Sequence, residues 1–235
     1  MAQALYDYWF VQFDFPDENG NPYKSSGGKM VWNEVLKREI PEGWSVSSLS
    51  EHATIIMGSS PEGATLNENR EGIAFFQGCA DFGDVFPNER VYTTNPKRLA
   101  PVGSFLVSVR APVGSLNTAQ DKCCIGRGVA ALISKHDAPA HLWQVLSHLS
   151  PYFNRYNGEG SIFGCINKEE LHDLPVLSSL TVIREYQKII APLYLRRLSN
   201  AKESKQLQRQ RDFLLPLLMN GQVQVKPLNY RLADD

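Results

Sequence analysis

The longest periodic pattern of apolar and polar positions lies near the C-terminus. Between Thr181 and Asn220, Ile183, Ile190, Arg197, Ser204, Arg211 and Leu218 recur every seventh position, and so do Tyr186, Leu193, Asn200, Leu207 and Leu214. This heptad frame is apolar at both ends and polar in its middle. It predicts a helix of some forty residues, about 60 Å long at about 1.5 Å per residue, ended by Gly221. Pro192 and Pro216 count against an uninterrupted rod, because each removes a backbone donor. A shorter helix is predicted over 140–153, where Leu142, Val145, Leu146, Leu149 and Phe153 fall at helical spacing. Strand composition marks Ile73–Gln77, Val91–Thr94, Ser104–Val109 and Gly128–Ile133, with Gly and Pro recurring between them.

The N-terminal run ALYDYWFVQFDFP begins as an apolar, aromatic helix that must end by Pro16. A turn-rich connection, DENGNPYKSSGGK, follows, and Val31–Ile40 is read as a brief helical turn. The fold class is therefore α+β. A curled mixed β-sheet with short helices occupies 43–178, preceded by a connecting region over 1–42. A long, coiled-coil-like helix occupies 179–222, and 223–235 form a tail. So long a rod is not expected to bury its stripe against so small a domain; it calls for a second helix through Ile183, Tyr186, Ile190, Leu193, Leu207, Leu214 and Leu218. Tyr6, Trp9 and Phe10 form an aromatic cluster. It packs within a helical hairpin, with the Leu214–Leu218 end as one expected partner, or docks another subunit.

Composition changes this picture little. The 235 residues are 43% apolar and 21% charged, with a net charge of −1, as in ordinary folded proteins. Segment 43–178 holds 10 basic and 13 acidic residues, whereas 181–221 holds 8 basic and 3 acidic. Phosphate neutralisation supplies much of nucleic-acid affinity, so composition alone argues weakly against DNA binding by the larger segment. The N-terminus lacks the pattern of a secretion signal and no apolar run is long enough to span a bilayer; a cytoplasmic location is expected. Cys79, Cys123, Cys124 and Cys165 show no C-x-x-C pair and read as buried reduced thiols, with no metal and no cofactor expected.

The motifs of catalysis are missing. The chain has no methyltransferase Pro-Pro-aromatic signature and no G-x-x-x-x-G-K-[ST] phosphate loop. It has no G-x-S-x-G elbow, and the fragments of a metal-nuclease pattern, Pro16-Asp17 and Glu203-Ser204-Lys205, are far apart. A non-catalytic protein is expected.

Several segments together carry a resemblance. LYDYWFVQFDFPDENGNPYKSSGGKMVWNEVLKREIPEGW, VRAPVGSLNTAQDKCCIGRGVAAL, GSIFGCINKEELHDLPV and RDFLLPLLMNGQVQV occur in order over residues 4–225. This set resembles the specificity subunits of type I restriction–modification enzymes. The resemblance implies target-recognition domains that read short DNA half-sites and long conserved helices that space them. It also implies a scaffold for methyltransferase subunits and, in the full complex, a restriction subunit that supplies ATP-driven translocation and cleavage. Only one recognition domain and one complete spacer helix are present. Two arrangements fit: a half-length subunit that pairs with a second copy of itself or another half-specificity subunit, or a silent cassette or fragment that needs a partner half.

Base reading needs side chains that present donors or acceptors into a groove. Arg110 at the end of a strand and Arg127 between two glycines lead the candidates, followed by Ser59, Ser60, Gln77, Asn157 and Ser161 in glycine-containing or strand-end segments. Each also has an ordinary role in turns or ion pairs. The rival function is a non-DNA-binding adaptor or antirestriction decoy that dimerises through its long helix.

Overall fold

The computed structural model describes residues 1–157 and 164–222. The aromatic N-terminus opens as α1 (Ala2–Tyr6) and widens into a π turn over Asp7–Val11. Phe13 then takes φ +68° and carries the chain out of helix before Pro16. Residues 31–40, expected to be helical, form a hairpin of β1 (Met30–Asn33) and β2 (Arg38–Pro41). Two local interactions favour it over a helix. Asn33 Oδ1 accepts the N–H groups of Val35 and Leu36, each at 3.0 Å, and Lys37 takes φ +50°, so the chain reverses. Arg38 lies 4.8 Å over the Phe13 ring, which ties the hairpin to the aromatic N-terminus.

The central part follows in short pieces. β3 (Ser45–Ser48) enters α2 (Leu49–His52), where Glu51 accepts Ser48 N–H at 3.2 Å. After β4 (Ala53–Met57) come β5 (Leu66–Asn67), β6 (Ile73–Phe76), β7 (Val91–Thr93) and β8 (Leu99–Ala100). Next are β9 (Phe105–Ser108), β10 (Leu116–Thr118), β11 (Cys123–Ile125) and β12 (Val129–Ser134). The α+β class is as expected, and the strands from β4 to β12 form two open sheets. One, ordered β10-β9-β12-β4, is antiparallel; the other, β5-β7-β6-β11-β8, is mixed because β11 runs parallel to β6. A common core joins them, with Leu106, Val129 and Ala131 from the first sheet against Phe76, Ala100, Cys123 and Ile125 from the second.

The helix expected over 140–153 is two helices, α3 (Pro139–His148) and α4 (Ser150–Asn154). Pro151 has no N–H for the carbonyl of Ser147, so the ladder breaks there. α5 (Lys168–His172) is capped reciprocally by Asn167 and Glu170, each bond 2.8 Å long. β13 (Pro175–Ser178) pairs with β3 and leads into α6 (Leu180–Met219), a single forty-residue helix that passes through Pro192 and Pro216.

The chain divides into two compact units, Met1–Tyr194 and Leu195–Asp235. In the first, the opening turns of α6 are built into the core: Val182, Ile183, Tyr186, Ile190 and Tyr194 are buried. Tyr186 meets Tyr6, Trp9, Phe10 and His141 ring to ring at centroid distances of 5.6 to 6.1 Å, and its hydroxyl donates to Ala2 O at 2.9 Å. The aromatic cluster is therefore core. It packs on the start of α6, where the rings of Tyr186 and His141 close it off within the first unit. Burial of each such side chain stabilises by about 1.5–3 kcal/mol. Ile183, Tyr186 and Ile190 accordingly have no free face for a second helix, contrary to expectation. In the second unit Leu207, Leu214 and Leu218 are exposed, and Leu193 at the end of the first is 40% exposed.

Candidate nucleic-acid interface

Three stretches of backbone meet beyond the ends of β4, β6 and β11. Gly58 N–H donates to Val129 O at 3.0 Å, Ser59 N–H to Ile125 O at 2.9 Å, Gly126 N–H to Phe76 O at 2.9 Å and Gly128 N–H to Gln77 O at 3.1 Å. The approach is so close that only glycine fits. A Cβ on Gly58 would run into the carbonyls of Gly126 and Val129, one on Gly126 into Gln77, and one on Gly128 into Gln77 O. The glycines beside Arg127 let the chain approach itself.

Five of the residues singled out from sequence converge on this junction. Ser60 Oγ donates to Gln77 Oε1 at 2.8 Å and accepts Arg127 N–H at 3.3 Å, with Ser59 adjoining. Arg110 is brought in by strand register. β12 pairs with β9 at Val129↔Ser108, and Val109 N–H continues the ladder to Gly128 O at 2.9 Å. Arg110 and Arg127 thus occupy the next positions beyond the ladder on their two strands. Past it, Arg110 forms an antiparallel bridge with Cys165, flanked by Ala111 N–H to Gly164 O at 2.8 Å and Ile166 N–H to Val109 O at 3.0 Å. Asn157 clamps the same loop, accepting Val113 N–H at 2.8 Å and donating to Val113 O at 3.0 Å. Both ends of its amide are engaged, so it positions the Arg110 loop. Ser161 lies outside the described residues.

Arg110 and Arg127 are exposed, and neither makes an ion pair with another described residue. Two guanidinium groups on clamped backbone, beside a serine–glutamine pair, form a surface rich in hydrogen-bond donors. Such a surface suits phosphate oxygens or the acceptor edges of bases.

The thiols differ from expectation. Cys123 and Cys124 are buried in the middle of the mixed sheet, and burial pushes the Cys123 thiol up to about 12. Cys165, in contrast, is exposed beside Arg110, and Cys79 is partly exposed. The exposure of Cys165 depends on its bridge to a residue far away in sequence, so no local signal marks it. Among the described residues no group of three or more His, Cys, Asp or Glu side chains is placed to hold a metal. Among the described residues one serine–histidine side-chain hydrogen bond occurs, Ser47 Oγ to His52 Nε2 at 2.8 Å. His52 Nδ1 is buried without a partner, so no third group orients the ring.

No protein-family model matches the chain. Among solved structures, the HsdS subunit from Thermoanaerobacter tengcongensis superposes with a TM-score of 0.56 at 32% identity, over 79% of this chain and 47% of that one. A chain from a structure of complex assembly in a type I R-M system gives 0.55 at 33% identity, over 77% and 46%. Over about four fifths of its length the chain is similar to type I restriction enzyme specificity subunits. Of the curated relatives, the putative MjaX specificity subunit of Methanocaldococcus jannaschii is 36% identical over 80% of this chain and 45% of its own length. The chain spans about half the length of the curated relatives it matches.

Proposed function

We propose that the chain is a non-catalytic DNA specificity subunit that reads one half-site of a bipartite duplex target for a type I restriction–modification complex. It scaffolds methyltransferase subunits and, in the full complex, a restriction subunit. A second copy, or another half-specificity subunit, supplies the other half-site. The observation that carries this reading is the extent of the match: 80% of the chain aligns with 45% of a specificity subunit at 36% identity. Two features of the molecule support it. Arg110 and Arg127 stand exposed on a rigid frame, as donors to phosphate or base edges require, and the Leu207–Leu218 part of α6 presents an uncovered apolar seam.

The test is methylome sequencing of cells that carry this chain with methyltransferase subunits. A bipartite motif is expected, symmetric if two copies pair. Absence of any motif, together with no salt-dependent mobility shift of duplex DNA by the assembled complex, would overturn the reading in favour of an adaptor.

A further inference from the structure

We propose that Gln77 reads a base pair of the half-site and that Ser60 fixes its orientation, so that Gln77 presents only its amide donors and selects guanine. The inference rests on the DNA-reading role proposed above.

The orientation is set by the two hydrogen bonds at Ser60. Ser60 Oγ lies 3.3 Å from Arg127 N and 2.8 Å from the Gln77 amide. Arg127 N–H can only donate, so the serine oxygen accepts from it. Its hydroxyl proton is donated to Gln77 Oε1, the carbonyl end of the amide, at 2.8 Å. A reversed amide would make the serine oxygen accept twice and turn its proton to solvent. The seat is closed from the other side by Gly126: a Cβ there would overlap Gln77 Oε1 and Cα, so the side chain lies directly on bare backbone. The Gln77 backbone is anchored in the same junction, its carbonyl accepting Gly128 N–H at 3.1 Å. The residue itself is exposed.

The consequence concerns base choice. A glutamine reads adenine with both ends of its amide, donating to one atom and accepting from another. Here Ser60 holds Oε1, and no described residue engages the –NH2 group, whose two protons are left for a ligand. In the major groove only guanine offers two adjacent acceptors, O6 and N7, and cytosine offers a donor that would be repelled. The neighbouring Arg127 guanidinium adds donors of the same kind. Ser60 therefore acts through Gln77 as a positioning residue.

The experiment is methylome sequencing of cells that carry the methyltransferase subunits with the wild-type chain, Ser60→Ala or Gln77→Glu. The wild-type half-site is expected to contain a guanine that neither arginine variant (Arg110→Ala, Arg127→Ala) changes in identity. S60A frees the amide to turn, so the same motif should persist but admit adenine at that one position, with discrimination falling by about tenfold or more. Q77E turns an acceptor outward and should shift the same position toward cytosine, the partner of a carboxylate. Thermal melting of both variants close to wild type separates these effects from misfolding. An S60A motif identical to wild type at every position overturns the inference, even where Q77E loses methylation. No motif for the wild-type chain overturns the DNA-reading role itself, which is a different result.

Discussion

Arg110 and Arg127 are the exposed cations whose backbones the junction fixes, and their substitution separates two ways of holding DNA. Where the arginine grips a phosphate, Arg110→Ala or Arg127→Ala weakens binding to all sequences alike and lowers its salt slope by about 1. Where it reads a base, the same change costs about 1–3 kcal/mol and relaxes one motif position. Fluorescence anisotropy of the assembled complex across a salt series tells these apart, and unchanged affinity in both variants would contradict the interface. A different residue-scale effect concerns stability. Burial lowers the pKa of His141 to about 3 and that of His52 to about 4, in both cases before the smaller effect of neighbouring histidines. Folded, these rings stay neutral while the unfolded chain takes up protons near its ordinary value of about 6.5. Stability is thus fully present above about pH 6.5 and falls as pH drops toward the folded values. For His141 the loss at pH 5 is of order 1–2 kcal/mol. Urea midpoints at pH 7.5 and pH 5 measure it, and a flat profile between them would count against neutral burial.

At the scale of elements, α3 begins without a cap of its own. Ala138 has no polar side chain, and the acceptor comes from α6: Gln187 Oε1 takes Ala140 N–H at 3.0 Å and His141 N–H at 3.3 Å. Gln187→Ala should therefore destabilise the first unit by about 1 kcal/mol, as removal of a cap does, seen as a lower denaturation midpoint with unchanged cooperativity. The same cap marks how far a sequence reading reaches. β6, β7, β9 and β12 are legible because aromatic and β-branched residues fill them. α6 is legible from its heptads. β5 and β8, two residues each, carry no pattern of their own; their pairing is decided by neighbours distant in sequence. The 30–41 hairpin is missed because Val31, Val35, Leu36 and Ile40 also fit helical spacing, and the Asn33 turn outweighs it. A cap supplied by Gln187 is invisible until the fold brings the two helices together.

At the scale of the whole molecule, each unit has its own requirements. The first covers its aromatic cluster internally. The second leaves Leu207, Phe213, Leu214, Leu215 and Leu218 exposed, more apolar surface than a solvated helix needs. Leu207→Asp combined with Leu214→Asp should weaken self-association, or pairing with another half-subunit, by tenfold or more while the first unit melts as before. Sedimentation velocity over a concentration range measures this, and an unchanged association constant would place the pairing surface elsewhere. The candidate interface is legible in its residue types, since Ser59, Ser60, Gln77, Arg110 and Arg127 all stand out in the sequence. Its geometry is not, because the junction joins segments on β4, β6, β9 and β11 through contacts only a folded chain makes. Asn157 stands out for its chemistry, which is engaged in holding the Arg110 loop.

The glycine junction has a consequence for how such a chain diversifies. Its frame is made of backbone at Gly58, Gly126 and Gly128, and the side chains at 59, 60, 77, 110 and 127 contribute nothing to the common core. Inherited changes at those five positions can therefore alter what the surface recognises while the architecture beneath is left intact. A change at any of the three glycines perturbs the frame itself. On the proposed reading, new target preferences can arise in single steps, without passing through unfolded ancestors.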